Sequence, residues 1–421
     1  MIAGGITNVS MQALRAEAAA SECARMEGLE PRSYCAGIAW EAPIVITEGG
    51  TYTGNWRSRD PEVAAVTIET DEPVIIRNST IRSRSDLIAT HVVGADVTIR
   101  NTAGYGENPN VRGQAPGRFL KAEHFSSVFV KNSYLKGTSG IYVYDYRGNP
   151  DDGDTVTIIN NRAINVDGRK SNGEGGFFSF NERKRISDGK TEEGYDRVQF
   201  VQLNQVQNVP DIDIAWNRVT NEPGRSRVED NISIYRSSGT KQSPIRIYDN
   251  YIHGAYTIKP DQSDYTKNNW KYDWGYAGGG IMLGDGEGSA YVRAYRNQVV
   301  ATSNYGIAIY SGHDMVFFDN RVVSSGRLPN DKQITSQNVG VYIWDGEDAG
   351  SKKFYNNSAR DNLVGWIHHD HDRNDWWIPD ADSFTGNEEW VGTITTKSEN
   401  DESAVWNAKV GDAGVVVGLV L

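Results

Sequence analysis

From about Gly37 onward the apolar residues of this chain recur at every second position. The pattern is carried by short runs: IVIT (44–47), AVTIET (65–70), VIIRN (74–78), VTIRN (97–101), VFVKN (128–132), VTIINN (156–161), IDIAWN (212–217), IRIYDN (245–250), YVRAYRN (291–297), VFFDN (316–320) and KFYNN (353–357). Period two puts alternate side chains on opposite faces, so each run predicts a strand with one face buried. Helical patterning is confined to the N-terminus. Between about Ser10 and Met26 the residues Met11, Leu14, Ala18 and Cys23 or Ala24 approximate one helical face. Most of the strand runs end in asparagine, at Asn78, Asn101, Asn132, Asn161, Asn217, Asn250, Asn297, Asn320 and Asn357. The intervals Asn78 to Asn101 and Asn297 to Asn320 are 23 residues, and the longer ones read as the same unit plus an inserted loop.

A second phrase sharpens the pattern. Four segments begin with glycine and follow it with two inward apolar residues: Gly140-Ile141-Tyr142-Val143, Gly280-Ile281-Met282-Leu283, Gly306-Ile307-Ala308-Ile309 and Gly340-Val341-Tyr342-Ile343. A fifth, Asn231-Ile232-Ser233-Ile234, has asparagine in the leading place. Short strands in a repeat of ~20–30 residues predict an all-β solenoid, a parallel β-helix. Asparagine tolerates left-handed backbone angles, and its amide can bond to turn groups and to the asparagine of the next coil. A sandwich or barrel would need tight two-residue turns at hairpin spacing, which the sequence lacks.

Over about residues 40–370 the Asn-ended and Gly-led strands resemble the right-handed parallel β-helix superfamily, the pectate-lyase-like fold. That fold serves pectate lyases, many glycoside hydrolases, uronan epimerases and phage tailspikes. No pectate-lyase signature motif is evident. The resemblance implies an N-terminal helix capping the open end of the core, so the expected organisation is a helical cap over 1–38, the β-helix over 39–371 and a C-terminal capping segment over 372–421. Long insertions are expected near 165–198 and 255–277. Nine coils at ~4.8 Å each give a rod on the order of 40 Å.

Charge narrows the partners. The chain of 421 residues has 43 Lys and Arg against 55 Asp and Glu, a formal net charge of −12. A nucleic acid is excluded as the expected partner, because phosphate binding needs a basic surface. A highly anionic polymer is disfavoured unless a local basic patch overrides the mean field. No apolar run approaches the ~20 residues of a membrane span. Cys23 and Cys35 are either one disulfide closing a short loop, as suits an oxidising compartment, or two buried thiols. No signal peptide is visible, and the expected location is extracellular or periplasmic, as a mature form.

If the glycine-led strands stack in register, two columns face outward. One is aromatic, with Tyr144, Tyr235, Tyr310 and Trp344 and a gap at Gly284. The other holds Asp145, Arg236, Asp285, Ser311 and Asp345. Rings stack on the apolar faces of sugars, and carboxylates accept bonds from hydroxyls, so this face predicts binding of a polysaccharide or oligosaccharide. Outward rings also stack on one another in ordinary sheets. Glycoside hydrolysis uses two carboxyl groups, and Asp285, Glu287 and Asp345 are the candidates for the catalytic pair. A uronan lyase or epimerase is the alternative, with Arg236 as base, His313 nearby, and Lys170, Arg183, Lys184 and Arg185 supplying positive charge. The third reading is a non-catalytic, tailspike-like adhesin or structural rod, monomeric or trimeric. No cofactor is required. Ca²⁺ is the ion that NPDDGD (149–154) and GDGEG (284–288) could hold, although both read better as turns. His368-His369-Asp370-His371-Asp372 reads as a polar loop rather than a metal site.

Overall fold

The computed structural model describes residues 38–420 apart from 181–182, 186–190 and 263–277. The expected N-terminal helix, both cysteines and much of the second insertion lie outside the described residues. The chain visits three parallel sheets in rotation. Ile44–Ile46 starts the first sheet, Gly50–Tyr52 the second and Asn55–Ser58 the third, and Val66–Ile68 returns to the first. Each sheet has eleven strands in sequence order, so each coil lies on the one before it. This is a right-handed parallel β-helix, the hand that parallel crossovers take. Ten steps of ~4.8 Å make it about 48 Å long.

Alternation fills the interior. In the strand Asp96–Arg100, Val97 and Ile99 are buried and their neighbours face outward. One apolar core runs through the coils, from Ile46 at one end to Trp366 at the other. The leading glycines are required by the close stacking of coils. A Cβ on Gly306 would lie 2.2 Å from Val322 Cγ1 and 2.7 Å from the Gly340 carbonyl oxygen, and one on Gly340 would lie 2.5 Å from the Asp375 carbonyl oxygen. Asn231 fits the same place because its buried amide donates to the carbonyls of Gly254 and Gly279.

The asparagines form two staggered columns rather than one. Asn161, Asn217, Asn250, Asn297, Asn320, Asn362 and Asn387 make an internal ladder at the corner between the second and third sheets. Each of its first six amides donates to the next Oδ1 at 2.8–3.0 Å. Asn78, Asn101 and Asn132 sit one position earlier, at the left-handed residue of the turn, with φ of 48°, 47° and 50°. The ladder position in those coils is Ser79, Thr102 and Ser133. Asn357 belongs to another corner, where it donates to the Gly312 carbonyl, and Asn362 takes the ladder place in its coil.

The eleventh coil closes with Trp376–Trp377, Ser383–Thr385 and Glu388–Glu389. The helix Thr396–Ala413 (α1) then runs along the third sheet instead of across the end of the core. Its Trp406 packs on Tyr251, Val300 and Ala301 and donates to the Asp249 carbonyl at 2.8 Å. Val416–Val420 continues down the same flank, with Asn132 Nδ2 donating to the carbonyls of Val416 and Gly418. The helix and the tail therefore leave the outer face of the first sheet clear.

Candidate active site

The first sheet carries every Gly-led strand, and a register shift decides what its face presents. Tyr142, Gln202, Ser233 and Met282 stand in one outward row, and Tyr144, Asn204 and Tyr235 in the next. The strand Ile281–Asp285 holds one extra residue, so Tyr235 pairs with Asp285 and not with Gly284. Gly284 turns against the interior, where a Cβ would meet the Ser311 carbonyl oxygen at 2.2 Å and Met315 Cε at 2.5 Å. The expected gap in the aromatic column is thus filled by the Asp285 carboxylate, with Tyr235 on one side and Tyr310 on the other. The left-handed turn position that Asp145, Gln205 and Arg236 occupy is taken in this coil by Gly286.

Asp285 is half-buried and lies within electrostatic reach of several charges. Burial, then the charge of Glu347 and that of Glu229, push its carboxyl above the usual range, while Arg197 and Arg236 pull it down. Glu347 is held in place by Ser311, whose hydroxyl donates to it at 2.9 Å. At the opposite edge of the sheet Asp230 is buried. Its Oδ1 accepts from the Tyr305 hydroxyl and from the Gly279 N–H at 3.0 Å. Burial above all, then the charge of Glu229 and finally that of Asp285, lift the Asp230 carboxyl to about 7, against bonds from Tyr305 and Gly279 that lower it. Between the two aspartates the floor is Ser233, Met282 and Ala308, with Met282 and Ala308 part of an outer cluster with Tyr305, Val339 and Tyr342.

The expected aromatic column is interrupted, by Asn204 between Tyr144 and Tyr235 and by Asp285 after Tyr235, and the stacked rings of this face fall into two groups. Tyr142 and Tyr144 stack at 6.2 Å toward the N-terminal side. Tyr310 and Trp344 meet edge to face at 5.3 Å, and Trp344 lies 5.1 Å from Trp377. Trp377 is 47 % exposed, so the column ends in an open ring. The Tyr310 hydroxyl donates to the Gly346 carbonyl at 2.9 Å. Tyr235 carries the Arg236 guanidinium over its ring at 5.2 Å.

The other expected site residues have different surroundings. The Asp345 carboxylate accepts from the N–H groups of Ala349 and Gly350 at 3.0 and 2.7 Å, folding the loop that presents Glu347. Glu287 is exposed and pairs with Lys353 at 2.6 Å, a bond that holds its carboxyl below the usual range. It separates two clefts of about 480 and 310 Å³. Asp145, Arg236 and Gln207 line one, and Ser311, His313 and Glu347 the other. Asp145 is paired with His124 and Arg147, both at 2.6 Å. Those bonds outweigh its burial and keep it low. His313 stacks on Tyr355 at 4.5 Å and bonds to Asp314 at 2.8 Å, on the second sheet. Lys170 is paired with Asp196 at 2.9 Å.

Among the described residues no group of three or more His, Cys, Asp or Glu side chains is arranged to hold a metal ion. In NPDDGD the carboxylates of Asp152 and Asp154 accept from Asn149. His368 pairs with Asp370 at 2.6 Å, and His369 faces the Gln337 carbonyl at 2.9 Å. Asp230, Glu347 and Arg197 were missed by the sequence reading. They stand in turns between strands, where register cannot align them. The one available signal was the Glu229-Asp230 pair directly before the Asn231-led phrase.

Comparison of the chain with protein-family models, with curated proteins and with solved structures returned no match. The class rests on topology: a parallel β-helix, a fold compatible with polysaccharide-active proteins. Fold alone does not set the activity.

Proposed function

We propose that this protein binds a polysaccharide along the outer face of its first sheet and hydrolyses a glycosidic bond there, with Asp285 and Asp230 as the two carboxyl groups. The observation that carries the reading is the extra residue in Ile281–Asp285, which brings the Asp285 carboxylate into the row of Tyr235 on an open aromatic face. Hydrolysis needs one carboxyl that is protonated at the working pH and one that is not, and differing environments separate such a pair. Asp230, lifted to about 7, suits the acid. It gives its proton to the leaving glycosidic oxygen. Asp285 takes a proton from the water that attacks the anomeric carbon, and exchange with solvent restores both groups. Tyr310, Trp344 and Trp377 offer rings for sugar stacking beyond Asp285, and Tyr142 and Tyr144 do so on the other side. The reaction needs no cofactor, and the protein would meet such a substrate outside the cytoplasm.

A uronan lyase or epimerase is the second reading. It is favoured by Arg197 and Arg236, whose charges reach Asp285 and could neutralise a uronate carboxylate. Incubation with a polysaccharide panel separates the readings. New reducing ends without unsaturated-uronate absorbance support hydrolysis, and unsaturation supports the lyase. Asp285→Asn should lower the rate by about 10²–10⁴-fold. Binding with no product from any polymer would replace both readings by a non-catalytic adhesin.

A further inference from the structure

A large cavity lies away from the acidic face. It lies on the third-sheet flank, has a volume of about 710 Å³, and is walled by the turns that follow Tyr105, Lys136 and Ile164. Its floor is an outward column in which Arg82, Tyr105 and Lys136 stand in register on three successive coils. In a chain with net charge −12, this lining has four cations, Arg82, Lys136, Arg169 and Arg225, against two carboxylates, Glu107 and Asp167.

Those two carboxylates are already engaged. Glu107 accepts from Arg57 at 2.7 Å and lies 3.8 Å from Arg82. Buried Asp167 grips Arg169 at 2.8 Å. Arg169 also donates to the carbonyls of Gly224 and Arg225 and lies 4.4 Å over the Phe177 ring. Arg169 is therefore a rigid part of the wall. Arg225 has one loose contact, 3.4 Å from Glu222, with its side chain 76 % exposed. Lys136 is half-buried, and its ammonium makes no hydrogen bond or ion pair with any described residue. A half-buried cation that stands beside other cations, with the nearby carboxylates taken up by arginines, favours an anion.

We propose that this groove is a second binding site, which takes a segment of an anionic saccharide, carboxylated or sulfated. Lys136 receives the anionic group, Arg225 approaches it from the rim, and Tyr105 and Phe177 provide the apolar part of the lining. The volume falls in the ~300–1,000 Å³ range of small-ligand sites, so it admits a short segment of a chain. The site lies on a different sheet from Asp285 and its two carboxylates are held by Arg57 and Arg169, so it anchors a glycan without cleaving it. The saccharide identity rests on the function proposed above, whereas the preference for an anion rests on the groove alone.

Titration calorimetry on the Asp285→Asn protein, which spares the ligand, tests the proposal. The probes are an oligouronate, a sulfated oligosaccharide, a neutral oligosaccharide of the same length, and citrate. At least one charged oligosaccharide should bind, and more weakly as salt rises. Lys136→Ala should cost on the order of tenfold in affinity, as for a lost charge-assisted bond. Lys136→Glu should cost more and Arg225→Ala less, and none should change the response to the neutral oligosaccharide. Parent-like binding by the folded Lys136 and Arg225 variants, or equal affinity for the neutral and charged oligosaccharides, overturns the site. Citrate binding as tightly as the charged oligosaccharides overturns its saccharide character. The two proposals fail separately: full cleavage by Asp285→Asn would remove the hydrolytic reading, and the effect of Lys136 on anion binding would still stand.

Discussion

Replacing Asp230 by Asn should stabilise the protein above neutral pH while removing its activity. Asp230 is buried, and its carboxyl is raised from 3.8 to about 7, chiefly by that burial. Below about pH 3 the group is protonated in both folded and unfolded chains and costs nothing. As pH rises past 3.8 the unfolded chain releases the proton and the folded one holds it, so the unfolded state gains. The loss of stability accumulates up to about pH 7, where the folded group also ionises. At ~1.36 kcal/mol per unit, a separation of roughly three units sets an upper bound of about 4 kcal/mol. Asparagine keeps an oxygen for the Tyr305 hydroxyl and the Gly279 N–H and never ionises. Urea unfolding of Asp230→Asn and of the parent protein, from pH 4 to pH 8, measures the difference. The variant should gain about 1–4 kcal/mol relative to the parent between those limits, with most of the change complete by pH 7. Glu399 is also buried and raised to about 7, but it is present in both proteins and cancels in the difference. A difference that stays flat with pH, or a variant that loses ground as pH rises, would refute the reasoning and with it the assignment of Asp230 as the acid.

Three further outcomes follow from the packing. Asn250→Ala takes the acceptor from the Asn217 backbone N–H and the amide donor from the Ile214 carbonyl, both buried. At ~1–3 kcal/mol for each unsatisfied group, denaturant titration should show a loss of about 3 kcal/mol or more. Gly306→Ala forces a methyl group to within 2.2 Å of Val322 Cγ1, and should lower the thermal midpoint through ~1–3 kcal/mol of overpacking. Trp406→Ala empties the contact that seats α1 on the third sheet, at a cost of about 3–5 kcal/mol. Limited proteolysis should then cut the 396–413 segment before the coils.

Much of the fold was legible because stacking coils repeat one set of constraints. A strand with one face in the core must alternate, and a coil pressed against the next admits only glycine, or an asparagine able to bond inward, at certain points. The asparagines marked the corner but not its detail. Asn78, Asn101 and Asn132 serve the left-handed residue of the turn and Asn161 onward serve the ladder, and a one-residue offset is invisible when both positions favour the same amino acid. The path of the C-terminal segment was not legible either. The helix 396–413 is held to the third sheet by groups such as Asp249, Arg321 and Ser325. Nothing local in its own sequence names those partners.

The sequence by itself determined that this chain winds into parallel coils, which residues fill them, and that a face of rings and carboxylates follows the glycine-led strands. Only the tertiary structure decided which carboxylate stands among the rings. One added residue between Ile281 and Asp285 shifts the register, turns Gly284 inward and brings Asp285 beside Tyr235. The same structure drew Asp345 into its own loop and Glu287 to Lys353, and set Asp230 under Tyr305 from a turn that no strand pattern aligns. The physical reason is that alternation and steric fit are written residue by residue. A charge takes its environment from neighbours on other coils, and those are fixed only once the coils have stacked.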